Sequence, residues 1–132
     1  MALILADTDV LIDFCASKEP ISSVVKELLS SNRLLLSAIT SFELLTGATD
    51  GKRGDKVREL VDDLEVLPLD KEASFVAARV RRELESQGQG IGVADSLIAG
   101  IAIKNDLTLF TQNRKHFNRV KDLRMFNPSA RA

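Results

Sequence analysis

Tryptophan and tyrosine are absent from the chain, cysteine and histidine occur once each, and six phenylalanines supply its whole aromatic content. Each shortage argues against a class of function. A single-strand binder built on base stacking needs more aromatic platforms than this. One cysteine, Cys15, cannot form an internal disulfide, and with one histidine, His116, there is no Cys/His spacing for zinc. Cys15 is expected to be a small buried apolar side chain, and the scarcity of cysteine favours a cytoplasmic setting. Neither sign of charge is in excess. Eighteen basic and 19 acidic residues leave a net charge of −1, which argues against a polycation that coats phosphate. Long apolar runs are missing too. The longest, residues 93–103, is interrupted by Asp95 and Ser96 and is too short to span a bilayer. No basic segment precedes the short N-terminal apolar run, so a signal peptide is not expected.

What is present reads as one globular α/β domain over residues 1–132. The chain is 45% hydrophobic and 28% charged, and it is long enough for a sizeable core. Short apolar runs at 3–6, 34–37, 66–69 and 108–111, with a weaker one at 123–126, have the look of buried strands. Helical patterns separate them, and that alternation predicts a largely parallel sheet of four to five strands flanked by helices. Pro20 can open a helix to about residue 31. Ser37 or Thr40 can cap a helix through Glu43 that Gly47 ends. Gly51 and Gly54 read as a loop before the amphipathic set Val57, Leu60, Val61, Leu64. Asp70 can cap a longer helix carrying Phe75, Val76, Ala78, Val80 and Leu84. After the break at Gly88-Gln89-Gly90, Ala94, Leu97, Ile98, Ile101 and Ala102 recur at helical spacing, with apolar residues on the other side as well. That helix is expected to be buried nearly all round.

Against this apolar background four acids stand out. Asp7 ends the first strand run and Asp9 follows it; Glu43 lies within an apolar helix, and Asp95 interrupts the 93–103 stretch. A carboxylate taken from water is costly unless it finds a partner, and few Lys or Arg lie near these in sequence. In parallel sheets, ligands bind beyond the carboxyl ends of the strands. Asp7 follows the first strand, Thr111 and Asn113 follow the fourth, and Glu43 and Asp95 lie on helices that can face the same edge. Asp7, Glu43, Asp95 and Asn113 then form an oxygen-only set suited to Mg²⁺ or Mn²⁺ rather than zinc. Hydrolysis of a phosphate ester is the reaction class that such a site serves.

The same residues carry a resemblance. Leu5-Ala6-Asp7-Thr8-Asp9-Val10-Leu11-Ile12-Asp13 resembles the opening motif of PIN domains. Ser41-Phe42-Glu43-Leu44-Leu45-Thr46-Gly47 and Gly90-Ile91-Gly92-Val93-Ala94-Asp95-Ser96-Leu97-Ile98-Ala99 are similar to the second and third acidic motifs. Leu109-Phe110-Thr111-Gln112-Asn113-Arg114-Lys115-His116-Phe117, followed by Asn127-Pro128, looks like the closing segment of the VapC toxins. The resemblance runs in order over nearly the whole chain. It implies a Mg²⁺- or Mn²⁺-dependent endoribonuclease, a homodimer, silenced by a VapB-like antitoxin lying across the active site. It implies further that Asp7, Glu43 and Asp95 form the acidic metal site and that Asp9 is an auxiliary ligand. Asn113 takes the fourth place, offering a carbonyl oxygen but no charge, and Thr111 supports that loop.

For other residues the ordinary reading weighs as much as the functional one. Arg79, Arg82, Arg114 and Lys115, with Arg119 and Lys121, can contact RNA phosphates or simply face solvent. His116, in a polar loop, is expected to be exposed and without a catalytic part. Asp13 and Glu19 have no assigned role. A haloacid-dehalogenase-like phosphohydrolase also opens with two aspartates two apart. Here, however, Leu11 stands where that motif wants Thr or Val, and no later lysine with paired acids completes the set. A receiver domain fails similarly. A catalytically silent PIN module acting only as a binding partner would have lost an acid, whereas three are kept.

Overall fold

The computed structural model describes residues 2–48 and 50–130; the ends of the expected 1–132 domain, Met1 and residues 131–132, lie outside them. Five short strands run parallel: β1 (Ile4–Ala6), β2 (Leu34–Ser37), β3 (Val66–Leu67), β4 (Thr108–Phe110) and β5 (Arg124–Met125). Their order across the sheet is β3-β2-β1-β4-β5. Ile4 sits opposite both Leu34 and Thr108, which fixes β1 at the centre. The helices between them are α1 (Thr8–Cys15), α2 (Ile21–Ser30), α3 (Ala38–Gly47), α4 (Lys52–Asp63), α5 (Lys71–Ser86), α6 (Val93–Lys104) and the single turn α7 (Arg114–Phe117). Among the described residues no helix is long and apolar enough to cross a membrane.

Side chains alternate along each strand, so the sheet divides the core in two. Ile4, Ala6, Leu34, Leu36 and Phe110 pack with Val10, Leu11 and Phe14 of α1, Val25 and Leu28 of α2, and Leu60 of α4. Leu5, Leu35 and Leu109 face the other way, onto Ala73, Val80 and Leu84 of α5 and Ile98 and Ile101 of α6. Full burial of one such Leu or Ile side chain is worth roughly 1.5–3 kcal/mol. Covered on both faces, the strands read as continuous apolar runs rather than alternating ones.

Gly100 sets how α5 lies on α6. A Cβ there would stand 2.6 Å from Ala77 Cβ and 2.7 Å from the Ala73 carbonyl oxygen, so the two backbones meet almost directly. α6 is buried from Ser96 to Ala102, apart from partly covered Leu97.

Several expectations need correction. The helix at 93–104 is not buried all round: Val93, at its start, is 55% exposed, because the α5 contact covers the middle of the helix and not its N-terminus. On α5 the buried stripe is Ala73, Ala77, Val80 and Leu84, while Phe75 is 65% exposed and Ala78 faces water. Close approach at Gly100 demands small residues on the inner face and leaves the large ring outside, with Lys71 Nζ 5.9 Å from its centroid. Gly54 is not part of a loop; it is buried inside α4, and Gly51, at φ 98°, is the residue that starts that helix. Every strand but the second is shorter than its apolar run, which at the fourth leaves Thr111 beyond β4 with its side chain available.

Candidate active site

Sequence order reverses at β1, which continues to β2 on one side and borders β4 on the other; the crevice above this pair is the binding position of open parallel sheets. Asp7 stands in it. Its backbone N–H donates to the Phe110 carbonyl at 2.8 Å, prolonging the β1–β4 pairing by one residue. It is also the N-cap of α1, with Oδ1 accepting from the Thr8 N–H at 2.8 Å. One placement thus makes Asp7 both the cap of α1 and a member of the candidate site. Oδ2 accepts from the Thr111 hydroxyl at 2.7 Å. That hydroxyl in turn accepts the Asn113 backbone N–H at 2.9 Å, so its single proton is committed to Asp7.

Asp7 is only 6% exposed. Burial pushes its pKa up to about 6, against the lowering effect of Thr111, and the charges of Asp9 and Asp95 push it further the same way. Asp9 is raised too, again chiefly by burial, with Asp13 and Asp95 adding repulsion. Both oxygens of Asp9 lie 3.3 Å from the Gln112 backbone nitrogen.

Glu43 reaches the same edge from α3, a helix capped by Ser37, whose Oγ accepts the Thr40 N–H at 3.0 Å. Of the two candidate caps, Ser37 is the one used. The Thr8 hydroxyl donates to Glu43 Oε1 at 2.5 Å and lies 3.1 Å from the Thr40 hydroxyl. Thr8 therefore joins the first acidic motif to the second. Sequence reasoning passed over it, although its place between Asp7 and Asp9 was a signal.

Asp95 lies in the first turn of α6, where the helix dipole favours a carboxylate. Its side chain is 23% exposed, so the deepest acid is Asp7, not the one with the most apolar sequence neighbours. Asp95 Oδ2 is 3.3 Å from His116 Nδ1, which is also 2.7 Å from Asn113 Nδ2. An Nδ1–H directed at Asp95 requires the Asn113 amide to turn its oxygen to the ring. His116 is half-exposed, as expected of it, yet it touches Asp95 and Asn113, which the sequence did not foretell.

The structure thus brings Asp7, Asp9 and Asp95 within electrostatic reach of one another, ties Asn113 to Asp95 through His116, and attaches Glu43 through Thr8. Among the described residues no three Asp, Glu, His or Cys side chains are drawn together tightly enough to hold an ion as they stand. Like charges keep apart. The donor chemistry fits a hard divalent cation: every candidate ligand atom is oxygen, and Asp7 and Asp9 are destabilised in their charged forms, chiefly by burial and further by neighbouring acids.

Of the six basic candidates, Arg79 is paired with Glu83 at 3.8 Å and Asp122 at 4.0 Å, and Arg119 Nε donates to the Lys115 carbonyl at 3.3 Å. Arg114 Nη1 donates to the Phe126 carbonyl at 3.1 Å, fastening the segment after β5. The side chains of Arg82 and Lys115 are exposed and make no hydrogen bond or ion pair among the described residues.

A parallel α/β sheet with an oxygen-only acidic crevice at its switch point suits the class of metal-dependent hydrolases that act on phosphate esters. Within that class the chain belongs to the PIN domain family, whose model matches residues 4–123. It is 30% identical over 128 residues to the tRNA(fMet)-specific endonuclease VapC of Shigella flexneri, covering 94% of this chain and 96% of that one. It is 31% identical over 119 residues to ribonuclease VapC1 of Methanocaldococcus jannaschii, covering 90% and 82%. Among solved structures, that of VapBC2 from Rickettsia felis bound to a DNA fragment from its promoter superposes with a TM-score of 0.80 at 26% identity, covering 95% and 98%. Nucleases of this family are generally dependent on divalent metal.

Proposed function

We propose that this chain is the toxin ribonuclease of a toxin–antitoxin pair, cutting RNA phosphodiester bonds with Mg²⁺ or Mn²⁺ held by Asp7, Asp9, Glu43 and Asp95. The observation that carries the reading is Asp7: a carboxylate buried at the β1–β4 switch point, with a raised pKa and two further acids adding to it. A buried carboxylate perturbed in this way marks a candidate functional site, and a cation binding there would replace the proton. When bound, the metal supplies Lewis-acid polarisation of the scissile phosphate and a water of lowered pKa.

The protein's own part is to hold and orient. Thr111 fixes Asp7 through a hydroxyl of set polarity, Thr8 fixes Glu43, and Asn113 offers an uncharged oxygen to position a water. Of the candidate cations, Arg82, Lys115 and Lys121 are left unengaged among the described residues and can meet RNA phosphates. Beside Glu43, a cavity of about 210 Å³ lined by Ile12, Leu44 and Val57 opens towards solvent. Phe42, on the same helix as Glu43 and Leu44, is 69% exposed, and exposed apolar surface of this kind suits a protein partner. It supports an antitoxin reaching the crevice; the protein acts in the cytoplasm as a homodimer.

The test compares the wild type, freed of antitoxin, with Asp95→Asn on total cellular RNA in Mg²⁺, Mn²⁺ and EDTA. Discrete metal-dependent fragments from the wild type alone are expected. Equal cleavage by the variant, or cleavage that survives EDTA, would overturn the reading.

A further inference from the structure

Gln112 stands between the two residues of the β4–α7 loop already placed at the site, and its contacts run to a different element. Thr111 turns to Asp7 and Asn113 to His116, whereas Gln112 turns to α1. Its backbone N–H is shared between the two Asp9 carboxylate oxygens, 3.3 Å from each. Its side-chain Nε2 donates to Asp13 Oδ2 at 2.8 Å and lies 3.4 Å from the Asp9 carbonyl oxygen.

The strengths of these contacts differ. A donor split between two acceptors at 3.3 Å holds weakly, while 2.8 Å from an amide to a carboxylate is a full charge-assisted bond. Asp9 and Asp13 lie one turn apart on the same helix face, a spacing at which like charges repel. A primary amide, with two N–H groups and no charge, can bridge that face without neutralising it. The firm contact is therefore the one to Asp13, and it fixes where the Gln112 backbone presents its N–H to Asp9.

We propose that Gln112, anchored on Asp13, is a positioning residue that sets the Asp9 carboxylate relative to Asp7 and Asp95 and so determines how tightly the site takes a divalent cation. This rests on the metal-nuclease reading and deepens it. Asp13, without a role in the sequence, becomes the anchor of that arrangement.

The experiment measures Mn²⁺ binding to the metal-free, full-length protein by electron paramagnetic resonance, with the Mn²⁺ concentration for half-maximal RNA cleavage read in parallel. Gln112→Ala removes the anchor. Gln112→Glu combined with Asp13→Asn restores it with donor and acceptor exchanged, isosterically and at unchanged net charge. Loss of a group that orients a metal ligand typically weakens metal binding by roughly 10- to 100-fold. Gln112→Ala is therefore expected to weaken Mn²⁺ binding at least about tenfold, and to raise the half-maximal concentration by the same factor. The exchanged pair is expected to return to within about threefold of the wild type, well inside that range. Wild-type affinity in Gln112→Ala overturns the proposal. So does a loss that the exchanged pair does not repair, since the anchor would then not be the cause. A wild type that binds no Mn²⁺ at all would bring down the metal-nuclease reading beneath it, an outcome distinct from either.

Discussion

Replacing Asp7 with Asn should stabilise the metal-free protein at neutral pH and leave it nearly unchanged in acid, while abolishing its response to metal. The folded carboxyl has a pKa of about 6 against an ordinary 3.8. A raised pKa means that the folded state prefers the protonated form. Its contribution to stability is complete below the unfolded value and is lost as pH rises through the folded one. Above about pH 7 the charged group costs the fold about 3 kcal/mol, from a shift of about two units at 1.36 kcal/mol each. At about pH 4.5 the same arithmetic leaves about 1 kcal/mol.

Asn keeps an oxygen for the Thr8 N–H but turns an amide towards Thr111, whose hydroxyl then loses its acceptor, at a cost of about 1 kcal/mol. The variant should therefore match the wild type near pH 4.5 and exceed it by about 2 kcal/mol near pH 7.5. Urea unfolding in EDTA at the two pH values measures both differences by linear extrapolation. Adding Mn²⁺ reverses the order, because a ligand at about a hundred times its Kd stabilises the wild type by about 2.7 kcal/mol. A difference between the two proteins that does not change with pH would refute the assignment of a raised pKa to Asp7.

Asn113→Asp should tighten Mn²⁺ binding severalfold, read by calorimetry, because it adds a charged oxygen beside the Asp95–His116 contact. Unchanged affinity would place residue 113 away from the cation. Gly100→Ala should lower stability by about 1–3 kcal/mol in spite of the better helix propensity of Ala, since the added methyl meets the α5 backbone at Ala73 and Ala77. The urea midpoint checks this, and an unaltered midpoint would mean that the helices part at little cost.

The fold was largely legible because its strands, buried on both faces, are short apolar runs set between helical patterns. The acids were legible because they break those runs. Depth was not. Helical periodicity shows that α6 is apolar on most sides, but not that its first turn is partly open, where the Asp95 side chain is 23% exposed. The connecting side chains were less legible still. Gln112 and Asp9 are 103 positions apart, and Thr8 and Glu43 are 35 apart, so their hydrogen bonds follow from the strand order alone. Asp122 as a partner of Arg79 and the Phe126 carbonyl as that of Arg114 were hidden in the same way, whereas the pairing of Arg79 with Glu83, one helical turn on, follows from spacing.

Those connecting residues share a chemical property that bears on function. Among the described residues, no lysine or arginine forms an ion pair with Asp7, Asp9, Glu43 or Asp95; the ion pairs of Lys and Arg with Asp55, Asp70, Glu83, Glu85, Asp106 and Asp122 all lie elsewhere. Three of the four acids are held instead by neutral donors: Thr111 and the Thr8 N–H on Asp7, the Thr8 hydroxyl on Glu43, and the Gln112 N–H on Asp9. A fixed ammonium or guanidinium would relieve the repulsion more fully, but it would do so permanently and would compete with any incoming cation. Neutral donors orient the oxygens and leave most of the repulsion in place. The residual strain in charge is what a divalent ion can release on binding. The fourth acid, Asp95, has only a half-exposed imidazole beside it, so it is the one whose partner is most easily exchanged for a metal.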